Sequence, residues 1–225
     1  TGALNDETLR NLHERLLYLR NLEEKKEQVI NAITEQDKMT DDLKKKILAA
    51  ETLVAVDDLY RPYRPKKQTR ATKAKEKGLE PLANILLLQT TSKSMDEEAQ
   101  SFVDEAKGVA NVKEALAGAK DIIAEMIADK ADYRKSIRNC TMKQGRLVVK
   151  AKDEKAESVY EMYYDFSEEL SKITGYRVLA INRGEKEKFL TVKVEAPDAQ
   201  IVNALNKTMI KDNPNTKTLM EETVL

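Results

Sequence analysis

Apolar residues recur every three or four positions along the first part of the chain, which is the spacing of an amphipathic helix. The first row of these residues consists of Leu9, Leu12, Leu16, Leu19, Leu22, Val29 and Ile33. Asn5 precedes the row and is suited to cap a helix, because its side-chain oxygen can accept a hydrogen bond from a free backbone amide. The pattern predicts one long helix from Asn5 to about Glu35.

A second row of apolar residues follows Thr40, which is also suited to cap a helix. It consists of Leu43, Ile47, Leu48, Val54 and Leu59, and it predicts a helix that ends at Tyr60. The loop between the two predicted helices is short, so we expect them to pack antiparallel. Residues 1–66 are therefore predicted to form a long helical hairpin.

Shorter apolar segments follow between residues 67 and 142. Ser94 with Glu97, and Asn111 with Glu114, have the spacing of a capping box, which marks the start of a helix. The four apolar residues at positions 85–88 are expected to be buried. We predict a compact, helix-turn-helix-like bundle of short helices for residues 67–142.

The pattern changes after residue 143. Residues 189–195 alternate between apolar and polar and predict a strand. Residues 177–181 fit either a helix or a strand, and Gly184 suggests the end of a helix. The aromatic residues between positions 160 and 166 are expected to be core, and the tail from Asn213 to be loosely held. Residues 143–225 are predicted to be a mixed α/β segment, so the whole chain is mainly α with a small β element.

Composition excludes several classes of protein. The chain has 39 basic and 39 acidic residues, so any contact with nucleic acid must use a local patch of positive charge. A single cysteine, Cys140, excludes an internal disulfide and a multi-cysteine zinc site, and it fits a cytoplasmic protein. No apolar run approaches the length that spans a membrane, and the start does not resemble a signal peptide. The absence of an initiator Met suggests a chain cut from a longer one.

No pattern of residues indicates a catalytic site. His13 is the only histidine and has no second His or Cys at ligand spacing, and Cys140 has no neighbouring His. We interpret both as structural. Acid pairs such as Glu97 and Glu98 are expected by chance in a chain of which 35% is charged. We therefore expect no enzymatic activity and no metal or other cofactor.

Residues 58–83, which we call the basic stretch, differ from the rest of the chain in charge. Glu76 is the only acid between residues 61 and 77, among the cations Arg61, Arg64, Lys66, Lys67, Arg70, Lys73, Lys75 and Lys77. Pro62 and Pro65 must interrupt the preceding helix. A short helix is predicted from about Ala71 to Lys77, followed by a turn at Gly78 and another helix.

Two helices joined by a glycine turn, with basic residues on the first, are typical of a unit that docks on nucleic acid. The candidate phosphate-binding residues are Arg61, Arg64, Lys66, Lys67, Arg70 and Lys73. The alternative is a solvated connector whose charges serve solubility. Tyr60 and Tyr63 are expected to hold the turn against the bundle rather than to stack on bases. A smaller basic cluster at residues 183–188 alternates with acids and is interpreted as a solvated turn.

The basic stretch also resembles the signature of the Tex family of bacterial transcription accessory proteins. The matching residues are Asp58, Leu59, Tyr60, Pro62, Tyr63, Pro65, Lys66, Thr69, Arg70, Ala71, Ala74 and Gly78 to Ala83. A second segment that resembles the family is YRVLAINRGEKEKFLTVKVE, at residues 176–195. In it, Tyr176 stands where the family usually has His, and Lys188 where it usually has Gly. The resemblance covers essentially the whole chain in register.

The resemblance implies a cytoplasmic transcription accessory protein that binds nucleic acid. It also implies a modular chain, in which a helical N-terminal region precedes a YqgF-type RNase-H-like domain, tandem helix-hairpin-helix motifs and a C-terminal OB-fold RNA-binding domain. This chain is expected to match part of the helical region and to stop before the YqgF-type domain. Two functions remain open: a nucleic-acid-binding module, for RNA or DNA, and a helical scaffold that packs against the other Tex domains or the transcription machinery.

Overall fold

The structure is a computed structural model that describes residues 5–65 and 67–225. The helices are α1 (Asp6–Thr34), α2 (Asp41–Leu48), α3 (Leu53–Tyr60), α4 (Arg70–Glu76), α5 (Glu80–Leu88), α6 (Met95–Gln100), α7 (Val112–Asp129), α8 (Ala131–Gln144), α9 (Gly175–Lys186), α10 (Asp198–Met209) and α11 (Lys217–Val224). The strands are β1 (Arg146–Ala151), β2 (Asp165–Glu169) and β3 (Leu190–Glu195). The prediction of a mainly α chain with a small β element near its C-terminal end is confirmed.

The chain forms two compact units. The first consists of Thr1–Leu88 and Lys93–Arg134, and the second of Gln89–Ser92 and Lys135–Leu225. Gln89 has a positive φ of 53°, and its side chain joins the second unit by donating to the Met209 carbonyl at 2.7 Å. The same side chain accepts from the Lys211 amide at 2.9 Å. A short detour of the chain therefore helps to fix the end of α10.

Helix α1 has nearly the predicted bounds. The side chain of Asn5 caps it by accepting from the Thr8 amide at 2.8 Å. Only the second half of the helix enters the core, where Leu22, Val29 and Ile33 are buried. They pack against the two helices that follow, and the three helices share one apolar core.

The prediction of a single helix from Thr40 to Tyr60 is wrong, because the chain breaks between α2 and α3. Thr52 adopts an extended conformation and caps α3 by accepting from the Ala55 amide at 3.2 Å. The Leu48 carbonyl at the end of α2 accepts a hydrogen bond from the buried Lys26 ammonium at 2.9 Å. Both ends created by the break are thus satisfied.

Helices α4, α5 and α6 pack against the long helix α7. Their shared core includes the buried side chains of Leu79, Leu82, Leu86, Ile122 and Ile123. Gly118 on α7 allows close packing, since a Cβ atom there would lie 2.4 Å from the Leu79 side chain. Helices α4 to α7 therefore form one packed group of helices.

The second unit contains an antiparallel sheet with strand order β2-β1-β3. One face of the sheet is packed against α9 and the short turn at Glu161–Tyr163. The buried residues there are Val149, Tyr160, Tyr163, Ile181 and Leu190, so the aromatic segment is core as expected. The opposite face carries ion pairs such as that between Lys150 and Asp165.

Two expectations for the second unit are wrong. Helix α9 does not end at Gly184 but continues to Lys186. Gly184 is buried inside the helix, and a Cβ atom there would lie 2.6 Å from the Leu190 side chain. The left-handed residue that follows α9 is Lys188, with φ 68°. The C-terminal tail is not loose, because α11 buries Met220 and Thr223.

Candidate nucleic-acid interface

The basic stretch is anchored at its N-terminal end. After α3, residues Arg61–Tyr63 form a single turn of 3-10 helix with Pro62 inside it. The Tyr63 carbonyl accepts a hydrogen bond from the Gln36 side chain at 3.0 Å. Tyr60 and Tyr63 are half-buried and pack against the core of the hairpin. This packing agrees with the expectation that they hold the turn in place.

Helix α4 follows with a well-defined start. The Thr69 side chain accepts from the Thr72 amide at 3.1 Å, and the Thr72 hydroxyl accepts from the Thr69 amide at 2.7 Å. Ala71 and Ala74 are buried against α7, so the opposite side of α4 faces solvent. Gly78 then turns the chain with φ 81°, a conformation that glycine adopts without strain.

Helix α5, which follows the glycine turn, offers few side chains for reading bases. It buries Leu82, Ala83 and Leu86, and its exposed positions are Glu80, Pro81, Asn84 and Leu88. It has no basic residue. In helix-turn-helix proteins the second helix enters the major groove, so the positive charge here is on the wrong helix for that docking. The chemistry available is contact with the phosphate backbone.

Two arginines near the anchor form ion pairs with buried acids. The Arg61 guanidinium donates to Asp129 at 2.8 Å, and Asp129 is 7% exposed. The Asp58 carboxylate, just before the turn, accepts from Arg134 at 2.7 Å. These pairs join the start of the basic stretch to the end of α7 and the start of α8. Arg61 therefore has a structural role in addition to its charge.

Arg64 and Arg70 have weaker attachments. Arg64 lies 3.0 Å from Asp57, which is shared with Lys25, and its guanidinium lies 5.5 Å from the centre of the Tyr60 ring. Arg70 lies 3.4 Å from Asp121, but its side chain is 86% exposed. Exposed pairs of this kind contribute little to stability, so Arg70 can exchange its partner for a phosphate at small cost.

Lys67 and Lys73 are the most available cations of the candidate set. Both are exposed, and neither makes an ion pair within residues 5–65 and 67–225. Lys73 lies one helical turn after Arg70, so the two side chains are neighbours on the solvent side of α4. Lys66, the remaining candidate, lies outside the described residues.

The second basic cluster surrounds the end of α9. Arg183 and Lys186 are exposed there, in the last turn of the helix. Tyr160 contacts the same end, and its burial, together with a hydrogen bond to Glu187, raises its pKa. Earlier in α9, Arg177 donates to Glu168 at 2.6 Å, and this bond raises the pKa of the guanidinium.

Within the described residues, no group of three or more His, Cys, Asp or Glu side chains is placed to hold a metal ion. In the same part of the chain, no helix combines the length and the hydrophobicity of a membrane span.

Comparison with known proteins places the chain in a family. Residues 90–222 match the family model described as Tex central region-like. This chain belongs to the Tex family. The protein YdcI of Bacillus subtilis is 42% identical over 228 residues, which cover 100% of this chain and 32% of YdcI. The transcriptional accessory protein Tex of Neisseria gonorrhoeae is 37% identical over 198 residues, which cover 87% of this chain and 26% of that protein.

A human relative extends the family to eukaryotes. The S1 RNA-binding domain-containing protein 1 of Homo sapiens is 31% identical over 205 residues, which cover 87% of this chain and 20% of the human protein. The chain spans about a third or less of the length of these relatives. The resemblance noted from the sequence motifs is thus confirmed at the level of the family.

Proposed function

We propose that this chain is the part of a cytoplasmic Tex-like transcription accessory protein that binds the phosphate backbone of RNA or DNA, without catalysis. The observation that carries the proposal is the exposed group of cations at the start of α4, formed by Lys67, Arg70 and Lys73. We call these three residues the cation cluster, and we propose that they contact phosphates together with Lys66. Arg61 acts mainly by holding the turn that presents them, and Arg64, whose ion pair with Asp57 is exposed, can exchange that pair for a further phosphate contact.

The anchoring of the turn supports this division of roles. A charged side chain on a rigid element loses less conformational entropy when it binds than one on a flexible linker. Here Tyr60, Tyr63 and the ion pair of Arg61 with Asp129 fix the chain immediately before the cation cluster. A solvated connector needs no such attachment, so the geometry favours the binding role over the connector.

The proposed binding is independent of base sequence. Phosphate contacts position a protein on nucleic acid, whereas base contacts specify a sequence, and helix α5 has no basic residue for the second task. The names of two relatives, a transcriptional accessory protein and an S1 RNA-binding domain-containing protein, support a role near nucleic acid. They do not distinguish RNA from DNA.

The test is a salt series of binding with the 225-residue chain, single-stranded RNA and duplex DNA of mixed sequence, followed by fluorescence anisotropy. Changing Lys67, Arg70 and Lys73 together to Gln should reduce the slope of log K against log salt by about 2.7 units on duplex DNA and about 2.1 on single strands. The loss should be equal for different base sequences. Circular dichroism and thermal unfolding should be unchanged, because all three side chains are exposed.

A matched control removes three positive charges elsewhere in the first unit. Lys38, Lys44 and Lys45 are exposed and lie outside the basic stretch, and changing them to Gln should leave the slope nearly unchanged. If both triple variants fold and lose the same amount of binding, the contact is a general effect of net charge. If the variant that lacks the cation cluster binds as well as the parent chain, the proposal fails.

A second candidate function has its own observation. The first half of α1 exposes leucine side chains that the rest of the described chain leaves uncovered. Exposed apolar rows of this kind mark sites of protein interaction. We propose that the chain also acts as a helical scaffold, and this role would remain if the salt series showed no specific binding.

A further inference from the structure

The first half of α1 carries a row of four leucines on its surface. Leu9, Leu12, Leu16 and Leu19, which we call the leucine face, are 40 to 59% exposed. Between residues 5 and 21, only Tyr18 is even half-buried. This half of the helix therefore extends beyond the core of its unit, with an apolar row that contacts little of the described chain.

The leucine face overlaps only in part with the side of α1 that enters the core. At 100° per residue, the centre of the leucine face lies roughly 100° around the helix from the buried side chains of Leu22, Val29 and Ile33. The two sides nevertheless overlap, because Ile30, which packs against the core, lies roughly 20° from the centre of the leucine face. The leucine face is therefore the apolar side of α1 where it runs past the helices that cover its second half.

The spacing of the leucines is compatible with a helical partner. Steps of three, four and three residues are the alternating a and d positions of a heptad, which pack against another helix as knobs into holes. A helix that crosses parallel or antiparallel to α1 can fill such a row along its length.

We propose that the leucine face pairs with the same face of a second copy of this chain, with the two helices antiparallel. In this arrangement Leu9 packs against Leu19 of the second copy, and Leu12 against Leu16 of the second copy, so the face is complementary to itself. The proposal names the partner for the scaffold function and does not rest on phosphate binding.

The charges beside the leucine face select the antiparallel direction. Asp6, His13 and Arg20 lie along one flank, and Arg15 lies along the other. In an antiparallel pair, Asp6 of each copy faces Arg20 of the other, which gives two attractive contacts. In a parallel pair, Arg15 of each copy would face Arg20 of the other, and the like charges would repel.

The groups near the two-fold axis of the antiparallel pair are compatible with it. His13 of one copy faces His13 of the other, and Arg15 faces Arg15 across the opposite flank. The Arg15 guanidinium lies 5.2 Å from the centre of the Tyr18 ring on its own helix. This contact draws the charge towards the body of its own copy and away from the axis. Two heptads are a short seam, so we expect a dissociation constant on the order of 100 µM.

Sedimentation velocity over a range of protein concentration tests the proposal. The 225-residue chain should pass from monomer to dimer as its concentration rises through the expected range. Changing Leu12 and Leu16 together to Glu should keep it monomeric with unchanged circular dichroism, because both side chains are exposed in the monomer. A parent chain that stays monomeric up to about ten times the expected dissociation constant would overturn the proposal.

Charge exchange tests the direction of the helices. Asp6→Arg and Arg20→Asp should each weaken the dimer by about tenfold, since each creates two like-charge contacts. The double variant, Asp6→Arg with Arg20→Asp, should restore the parental dissociation constant. A double variant as weak as the single ones would exclude the antiparallel contact.

Disulfide trapping tests the register independently. In a background with Cys140→Ser, an equal mixture of Leu12→Cys and Leu16→Cys chains should form mixed disulfide dimers under mild oxidation, and either chain by itself should form few. Efficient cross-linking of Leu12→Cys by itself would indicate a parallel pair and overturn the arrangement. None of these results affects the salt dependence of nucleic-acid binding, so the two proposals fail or stand separately.

Discussion

The basic stretch and the first half of α1 depart from their sequence patterns in opposite ways. In the basic stretch, a run of cations that suggests an open binding surface is partly neutralised, because Arg61 is paired with Asp129. In α1, a row of leucines that suggests core is left exposed, because the next helices cover only the half that begins at Leu22.

A local pattern gives the chemical type of a surface but not whether the fold already buries or pairs its side chains. Arg61 and its partner are 68 residues apart, and no spacing within the basic stretch reveals the pairing. Within the part of the chain that the structure describes, Lys67 and Lys73 make no ion pair and the leucine face is 40 to 59% exposed, so these side chains are the ones available for binding. Substitutions at buried residues or at their ion-pair partners should therefore destabilise the chain, and substitutions at the exposed residues should not.

The largest effect should come from the buried half of α1. Ile33→Ala should lower the free energy of unfolding by about 2–5 kcal/mol, because Ile33 is 0% exposed and its loss leaves a cavity. Urea denaturation followed by circular dichroism measures the change.

The matched control is Leu12→Ala in the exposed half, measured at a protein concentration too low for self-association. It should change the free energy of unfolding by no more than about 0.5 kcal/mol. Equal losses for the two substitutions would mean that the first half of α1 is covered by the chain itself, and the comparison would fail.

An intermediate effect is expected where the basic stretch joins α8. Arg134→Ala removes the guanidinium that donates to Asp58, whose carboxylate is 7% exposed in its side chain. Because a buried carboxylate that loses a charged donor is destabilised, the free energy of unfolding should fall by about 1–3 kcal/mol. Lys67→Ala, at an exposed cation, should change it by less than about 0.5 kcal/mol. Thermal unfolding of the two variants measures both changes. A larger loss of stability for Lys67→Ala than for Arg134→Ala would contradict the assignment of Arg134 as the structural cation.

Much of the fold followed from the sequence, because the signals were local. The cap at Asn5, the strand that became β3 and the glycine turn at Gly78 each depend on a few adjacent residues. The break between α2 and α3 has a local signal, the Thr52 cap, that was missed; the Lys26 ammonium and the Tyr18 hydroxyl, which bind the Leu48 carbonyl and the Leu53 amide, are distant in sequence. Strand β2 was missed because its charged sequence forms a strand only by pairing with β1.

The candidate interface was predictable as a region but not residue by residue. The density of Lys and Arg located it, and the proline and glycine positions gave its turns. The acids that form ion pairs with Arg61, Arg64 and Arg70 lie on α3 and α7. Only Asp57, which lies immediately before the basic stretch, is close to its partner in sequence. Lys188 shows the same limit, because its left-handed conformation, with φ 68°, is not indicated by any residue around it.

The smallest effect should come from the acid that competes for Arg70. Asp121 lies 3.4 Å from the Arg70 guanidinium, which is 86% exposed in its side chain. Asp121→Asn removes this weak pair and one negative charge beside the cation cluster, so nucleic-acid affinity should rise by about twofold at low salt. The free energy of unfolding should change by less than about 0.5 kcal/mol, because an exposed pair contributes little. The gain should disappear when Arg70 is already Gln, which an anisotropy titration of the Arg70→Gln and Arg70→Gln/Asp121→Asn chains would measure. If the gain persists without Arg70, Asp121 acts through the general field of the surface and Arg70 is not the cation that it restrains.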